Sequence, residues 1–313
     1  MVPVVRTSPS NFADVPFAAA WPTRVVDWDA PEVEGTLGIH VTDAPADGTE
    51  RGTFLLLHGE PSWALLYERW IPRLTAAGYR CVAPDLPGFG RSDKPTEDAW
   101  YSYERHCAAL RAVVHALDLR DVHLVVQDWA GPIGLRQAVD EPERFSRILI
   151  LNTWLHRDDF PYSDGVRWWR EAAMDPTVLG GDMPTGRIVA GTMRRQHADP
   201  DAIAAGFDAP FDGPETKAGA RAFPAMIPFG SPEVGGAVEQ ARCERALAEW
   251  TGCPIHVAFG DADPVFPYEQ AEAWAARIPG ATLDRIPDAG HFVQADAPED
   301  CLEVIARRMG IAC

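Results

Sequence analysis

Hydrophobic residues gather in six short runs: Thr53–His58, Arg80–Pro84, Val122–Gln127, Ile148–Asn152, Ile255–Gly260 and Thr282–Ile286. Most of these runs are apolar at consecutive positions, not only at every second one. That pattern suits strands covered on both faces, as in a parallel sheet. Val33–Val41 reads as a further strand. Between the runs lie amphipathic stretches of helical length: Tyr67–Ala77, Tyr103–Leu117, Ile133–Asp140, Tyr268–Arg277 and Pro298–Met309. Strands alternating with helices at this spacing predict βαβ units, hence an α/β fold with a mostly parallel central sheet flanked by helices. The opening segment Ser8–Pro31, rich in Pro, Ala and aromatics, is expected to wrap the surface.

The alternation stops between Asn152 and Thr251, where Gly, Pro and helical pieces replace buried strands, and then resumes. A series that breaks and afterwards completes itself predicts an inserted helical domain. We place it at residues 154–229, within a discontinuous core of residues 1–153 and 230–313. Ligands of open α/β sheets bind at the carboxyl ends of the strands. An insertion leaving from such an end roofs that site.

Composition narrows the function. The chain has 313 residues, 46% of them hydrophobic and 10% aromatic, enough to bury a full core. A net charge of −18 argues against nucleic-acid binding and against docking on an acidic membrane surface. No apolar run approaches the roughly 18 residues of a membrane span. The first residues lack the basic-then-apolar layout of a secretory signal. The six cysteines are scattered without C-x-x-C spacing and read as free thiols in a reducing compartment. A cytoplasmic monomer is expected. The histidines show no metal-ligand spacing, so neither a metal nor a cofactor is expected. Gly88-Phe89-Gly90 does not extend to a nucleotide loop, because Asp93 stands where a third glycine is needed.

Chemistry-bearing residues fall just past the strand runs. Val125-Val126-Gln127-Asp128-Trp129-Ala130-Gly131 joins a buried strand to a helix, the layout of a nucleophile elbow with Asp in the serine position. A helix N-terminus favours an ionised carboxylate there, although Asp is also a common N-cap. Asp261 and Asp263 follow Phe259-Gly260, and His291 lies in Asp288-Ala289-Gly290-His291-Phe292 after the last strand. Nucleophile, acid and base in this order match the chain order of α/β-hydrolases.

Within that superfamily the chain resembles the haloalkane dehalogenases. The resemblance rests on His58-Gly59-Glu60-Pro61-Ser62-Trp63, on Asp85 through Pro95, on Gln127-Asp128-Trp129 and on Asp288 through Gln294. It implies an α/β-hydrolase fold with a helical cap and hydrolysis of a haloalkane to a primary alcohol, halide and a proton, through a covalent ester on Asp128. It also implies Asp128 as nucleophile, His291 as general base and Asp263 as the acid that orients it, with Asp261 as the rival. Asn152, at the other acid position used across the superfamily, is not an acid. Backbone N–H groups of Glu60 and Trp129 would form the oxyanion hole, and the Glu60 side chain would be buried. A wall of Phe223, Pro224, Ile227, Val265 and Phe266 would line the substrate pocket.

Halide departs without a proton, so the site needs neutral donors in a dry pocket. Indole N–H groups are such donors. Trp129 sits beside the nucleophile. The second donor is expected in the cap, from Trp154, Trp168 or Trp169, with Trp169 in the place the resemblance implies. An epoxide hydrolase would use the same triad but needs two cap tyrosines, and Tyr162 is the only tyrosine between 104 and 267. A non-catalytic ligand-binding α/β-hydrolase is the alternative of another class. The partners expected are a small apolar halogenated substrate, water and halide.

Overall fold

The computed structural model describes residues 1–156 and 160–311. Eight strands form one sheet: β1 Thr23–Trp28, β2 Leu37–Ala44, β3 Thr53–Leu56, β4 Arg80–Pro84, β5 Val122–Val126, β6 Phe145–Ile150, β7 Ile255–Gly260 and β8 Thr282–Ile286. Their spatial order is β1-β2-β4-β3-β5-β6-β7-β8. The pairs from β4 to β8 are parallel, and β2 is antiparallel to both β1 and β4.

The unbroken apolar runs have a direct explanation. Leu55, Leu124, Val126 and Ile148 pack into one hydrophobic cluster, whereas Phe54, Leu56, Val125 and Leu149 pack into the other. Successive side chains point to opposite faces of a strand, and here both faces are covered. Helices α1 Ile71–Ala76, α2 Tyr103–Ala116 and α3 Ala130–Asp140 lie in the first half of the chain. Among the described residues between β6 and β7 there are five α-helices and no strand: α4 Asp164–Met174, α5 Thr185–Thr192, α6 Pro200–Asp208, α7 Ala218–Ala225 and α8 Ala237–Ala248. Helix α8 packs on α3, where Arg242 meets Asp140 at 2.6 Å. The last helices are α9 Tyr268–Arg277 and α10 Pro298–Met309.

Three expectations change. Ser8–Pro31 is not only a surface wrap, because it contributes the edge strand β1. Most of β1 is exposed, so no apolar run betrays it. Tyr67–Ala77 is not one helix but a 3-10 turn, Ala64–Tyr67, followed by α1. Pro72 lies in the first turn of α1, where its missing N–H is tolerated. The expected Val33–Val41 strand starts later, at Leu37, after a turn with left-handed Glu32 and Gly35. The five described cysteines are free thiols; Cys313 lies outside the described residues. No helix among the described residues is long and apolar enough to cross a membrane.

Candidate active site

Asp128 occupies a sharp turn between β5 and α3, with φ of +51°. A non-glycine residue in the left-handed region is costly and is held only by its surroundings. Here Asp128 N–H donates to Asn152 O at 2.9 Å, Gly131 N–H donates to Asp128 O at 2.8 Å, and the Thr153 hydroxyl donates to the same carbonyl. Close approach requires Gly131, since a Cβ there would lie 2.0 Å from Thr153 Oγ1. Gly59 clears the carboxylate in the same way, because its Cβ would meet Asp128 Oδ1 at 2.4 Å. The turn aims the Asp128 carboxylate above the strand ends. Glu60 N–H donates to Oδ1 at 2.8 Å.

His291 reaches the same point from the loop after β8. Its Nε2 lies 3.5 Å from Asp128 Oδ2 and its Nδ1 lies 3.0 Å from Asp263 Oδ2. Asp263, in the loop after β7, also accepts from Val265 N–H at 2.7 Å and from Asn152 Nδ2 at 2.8 Å. Asp261 turns away, accepting from Asp288 N–H and facing Arg285. Burial opposes a charge on His291, but the carboxylates of Asp263 and Asp128 outweigh it and hold the imidazole up at about 10. The Glu60 side chain has no partner at Oε1. Burial, reinforced by the Asp128 charge, pushes its carboxyl well above the usual range, which favours the protonated form.

A cavity of about 440 Å³ opens over these groups. Glu60, Asp128 and His291 lie at its floor, and Trp168, Trp169, Pro184, Ile188 and Val265 are among its walls. The volume falls within the usual range for small-molecule sites. Of the expected wall, only Val265 lines the cavity. Phe223, Pro224, Ile227 and Phe266 do not, because they are buried in neighbouring contacts. Phe223 stacks on His106 and packs at 5.0 Å on the ring of Trp129, while Phe266 packs on Trp154 and His291.

The indoles separate by where their N–H groups go. Trp154 donates to His156 Nδ1, so it is committed inside the protein. Trp63, Trp70, Trp100 and Trp250 donate to backbone carbonyls. Trp129 and Trp169 donate to none of the described residues. Trp169 is half-buried in the cavity wall, whereas Trp168 is 62% exposed.

Several positioning residues escape sequence reasoning. The Asn152 carboxamide accepts from Gly260 N–H as well as donating to Asp263, so the residue at the other acid position holds the acid instead of replacing it. Gln127 donates to the His291 carbonyl at 3.1 Å. The His156 ring packs at a tilt on Trp129, with centroids 4.6 Å apart, and burial pushes its imidazole down to about 3. Asp296 accepts from Gly290, Arg194 and Arg195 N–H and pairs with His197 Nε2, tying the His291 loop to the end of α5. In the sequence Asp296 sits in an acidic stretch that reads as a solvated face, and His156 is a lone histidine.

Strand order, elbow and strand-end residues together define an α/β hydrolase, and the family profile described as alpha/beta hydrolase fold matches residues 52–298. Haloalkane dehalogenases of Psychrobacter cryohalolentis and Mycobacterium marinum are 36% and 37% identical to the chain. The first match covers 97% of each chain, the second 96% of this chain and 98% of the relative. The solved haloalkane dehalogenase of Paraglaciecola agarilytica NO2, titled as tetrameric, superimposes with a TM-score of 0.85 at 33% identity, covering 97% of this chain and 98% of its own. The chain belongs to the haloalkane dehalogenase family.

Proposed function

We propose that the chain hydrolyses the carbon–halogen bond of a haloalkane to an alcohol, a halide ion and a proton, in two steps joined by an alkyl ester on Asp128. The observation that carries this reading is the line Asp128–His291–Asp263, whose first two members lie at the floor of a cavity walled in part by Trp168 and Trp169. In the first step an Asp128 carboxylate oxygen displaces halide at the sp³ carbon. Trp129 and Trp169 donate their N–H groups to the departing halide. Residues 154–229 act as the cap that carries Trp169.

In the second step His291 takes a proton from water, and the oxygen attacks the Asp128 carboxyl carbon. The N–H groups of Glu60 and Trp129 hold the developing oxyanion. Asp263 orients the imidazole and stabilises its cation. The bond between carboxyl carbon and alkoxyl oxygen then breaks, and the alcohol leaves. Epoxide hydrolysis is disfavoured, because Tyr162 is packed among Trp154, His156 and Phe229 and does not line the cavity. The expected monomer belongs to this reading, and light scattering tests it against a tetramer.

A pH-indicator assay over bromo- and chloroalkanes, with an epoxide control, tests the reaction. Acid release from haloalkanes alone is expected, and Asp128→Asn should abolish it. Full activity in a variant shown by mass to be undeamidated refutes the nucleophile.

A further inference from the structure

The triad is not the only ionisable lining of the cavity. Besides Glu60, Asp128 and His291, the ionisable residues lining the cavity are Arg187 and Arg194. Both are exposed, on α5 and just past its end. Arg187 makes no hydrogen bond or ion pair with any described residue. The Arg194 guanidinium reaches only the carbonyls of Gly191 at 3.0 Å and Met193 at 3.4 Å. Its neighbour shows the contrast, since Arg195 pairs with Asp300 at 2.6 Å. Asp296 takes the Arg194 backbone N–H and does not pair with its guanidinium.

This arrangement stands out in a chain of net charge −18, where most arginines meet a carboxylate. The Arg194 stem is also placed, because a Cβ at Gly290, next to His291, would touch its Cγ at 3.1 Å. Two guanidiniums without a carboxylate partner among the described residues therefore line the cavity. A planar guanidinium matches a carboxylate in charge and in shape.

We propose that Arg187 and Arg194 form a carboxylate subsite, and that the substrates favoured are ω-haloalkanoates. This deepens the dehalogenase reading and rests on it. The carbon–halogen end reaches Asp128, the methylene chain fills the apolar walls, and the carboxylate stays at the mouth.

The test compares 6-bromohexanoate with its neutral amide, 6-bromohexanamide, by kcat/KM. Substituting both Arg187→Gln and Arg194→Gln should lower the acid-to-amide ratio about ten-fold, mainly through KM, as expected for two exposed ion pairs. Raising ionic strength with sodium sulfate should lower the same ratio in the unsubstituted protein. An acid-to-amide ratio left unaltered by the double substitution overturns the proposal, including the case in which only bromide inhibition changes. Turnover of neither bromide while 1-bromohexane is hydrolysed overturns this proposal alone, and halide release from none of the three overturns the dehalogenase reading and this proposal with it.

Discussion

The carboxylates of Asp263 and Asp128 favour a charge on His291, whereas the hydrolysis step needs the imidazole neutral. Burial resists that charge, while Asp263 and Asp128 hold the imidazole up at about 10. An ester on Asp128 carries no negative charge. Esterification therefore removes one of the two carboxylates that hold the proton, and the imidazole becomes a base at the step that needs one. Displacement itself needs no base. His291→Gln should then release about one halide per site and stop, trapped as an ester. Intact mass spectrometry after brief exposure to 1,2-dibromoethane should show an added bromoethyl group, mapped by peptide analysis to Asp128. Continuous release at the unsubstituted rate without an adduct would refute the two-step mechanism.

At the scale of elements, the elbow concentrates the demands on packing. Its turn exists because β5 delivers Asp128 with a left-handed backbone and α3 begins almost in contact with Thr153. Gly131→Ala forces a Cβ into that contact. Overpacking of this kind costs about 1–3 kcal/mol, to be read from the denaturant midpoint. Thr153→Ala opens the space, so the double variant should be more stable than the sum of the two single losses implies. Strict additivity would show that the contact is not the cause. Elements with strong patterns were legible at this scale: β4, β7, β8, α9 and α10 fall where their patterns place them. Edge strand β1 was not, because an exposed strand carries no burial pattern to read.

Across the whole molecule, buried histidines set the response to pH. Burial pushes His40 and His123 down to about 4, and His106 and His156 down to about 3. The unfolded chain takes up protons near 6.5 that these folded sites refuse. Stability therefore falls as pH drops below 6.5. Glu60 acts in the opposite sense, because its folded carboxyl keeps a proton that the unfolded one loses. His291 also opposes them. Its folded value lies above 6.5, so its contribution is complete below 6.5 and is lost as pH rises towards about 10. Thermal melts should peak near neutral pH and fall more steeply on the acid side. A flat profile between pH 5 and 6.5 would contradict these four burials.

The order of elements, the two-faced burial of the strands and the positions of Asp128, Asp263 and His291 past strand ends were readable from local pattern. Strand length, turn chemistry and hydrophobic period are properties of neighbouring residues. Tertiary structure alone decided which carboxylate meets His291, since Asp261 and Asp263 differ by two positions and only Asp263 turns inward. It also decided that the Trp154 N–H is committed to His156 while that of Trp169 has no acceptor among the described residues. In the same way, packing buried Phe223 against Trp129 instead of exposing it to the cavity, and left Arg194 without a carboxylate beside Arg195, which has one. Each of these outcomes depends on distances between segments far apart in the chain. Such distances arise only when the helices close over the sheet, and no local periodicity encodes them.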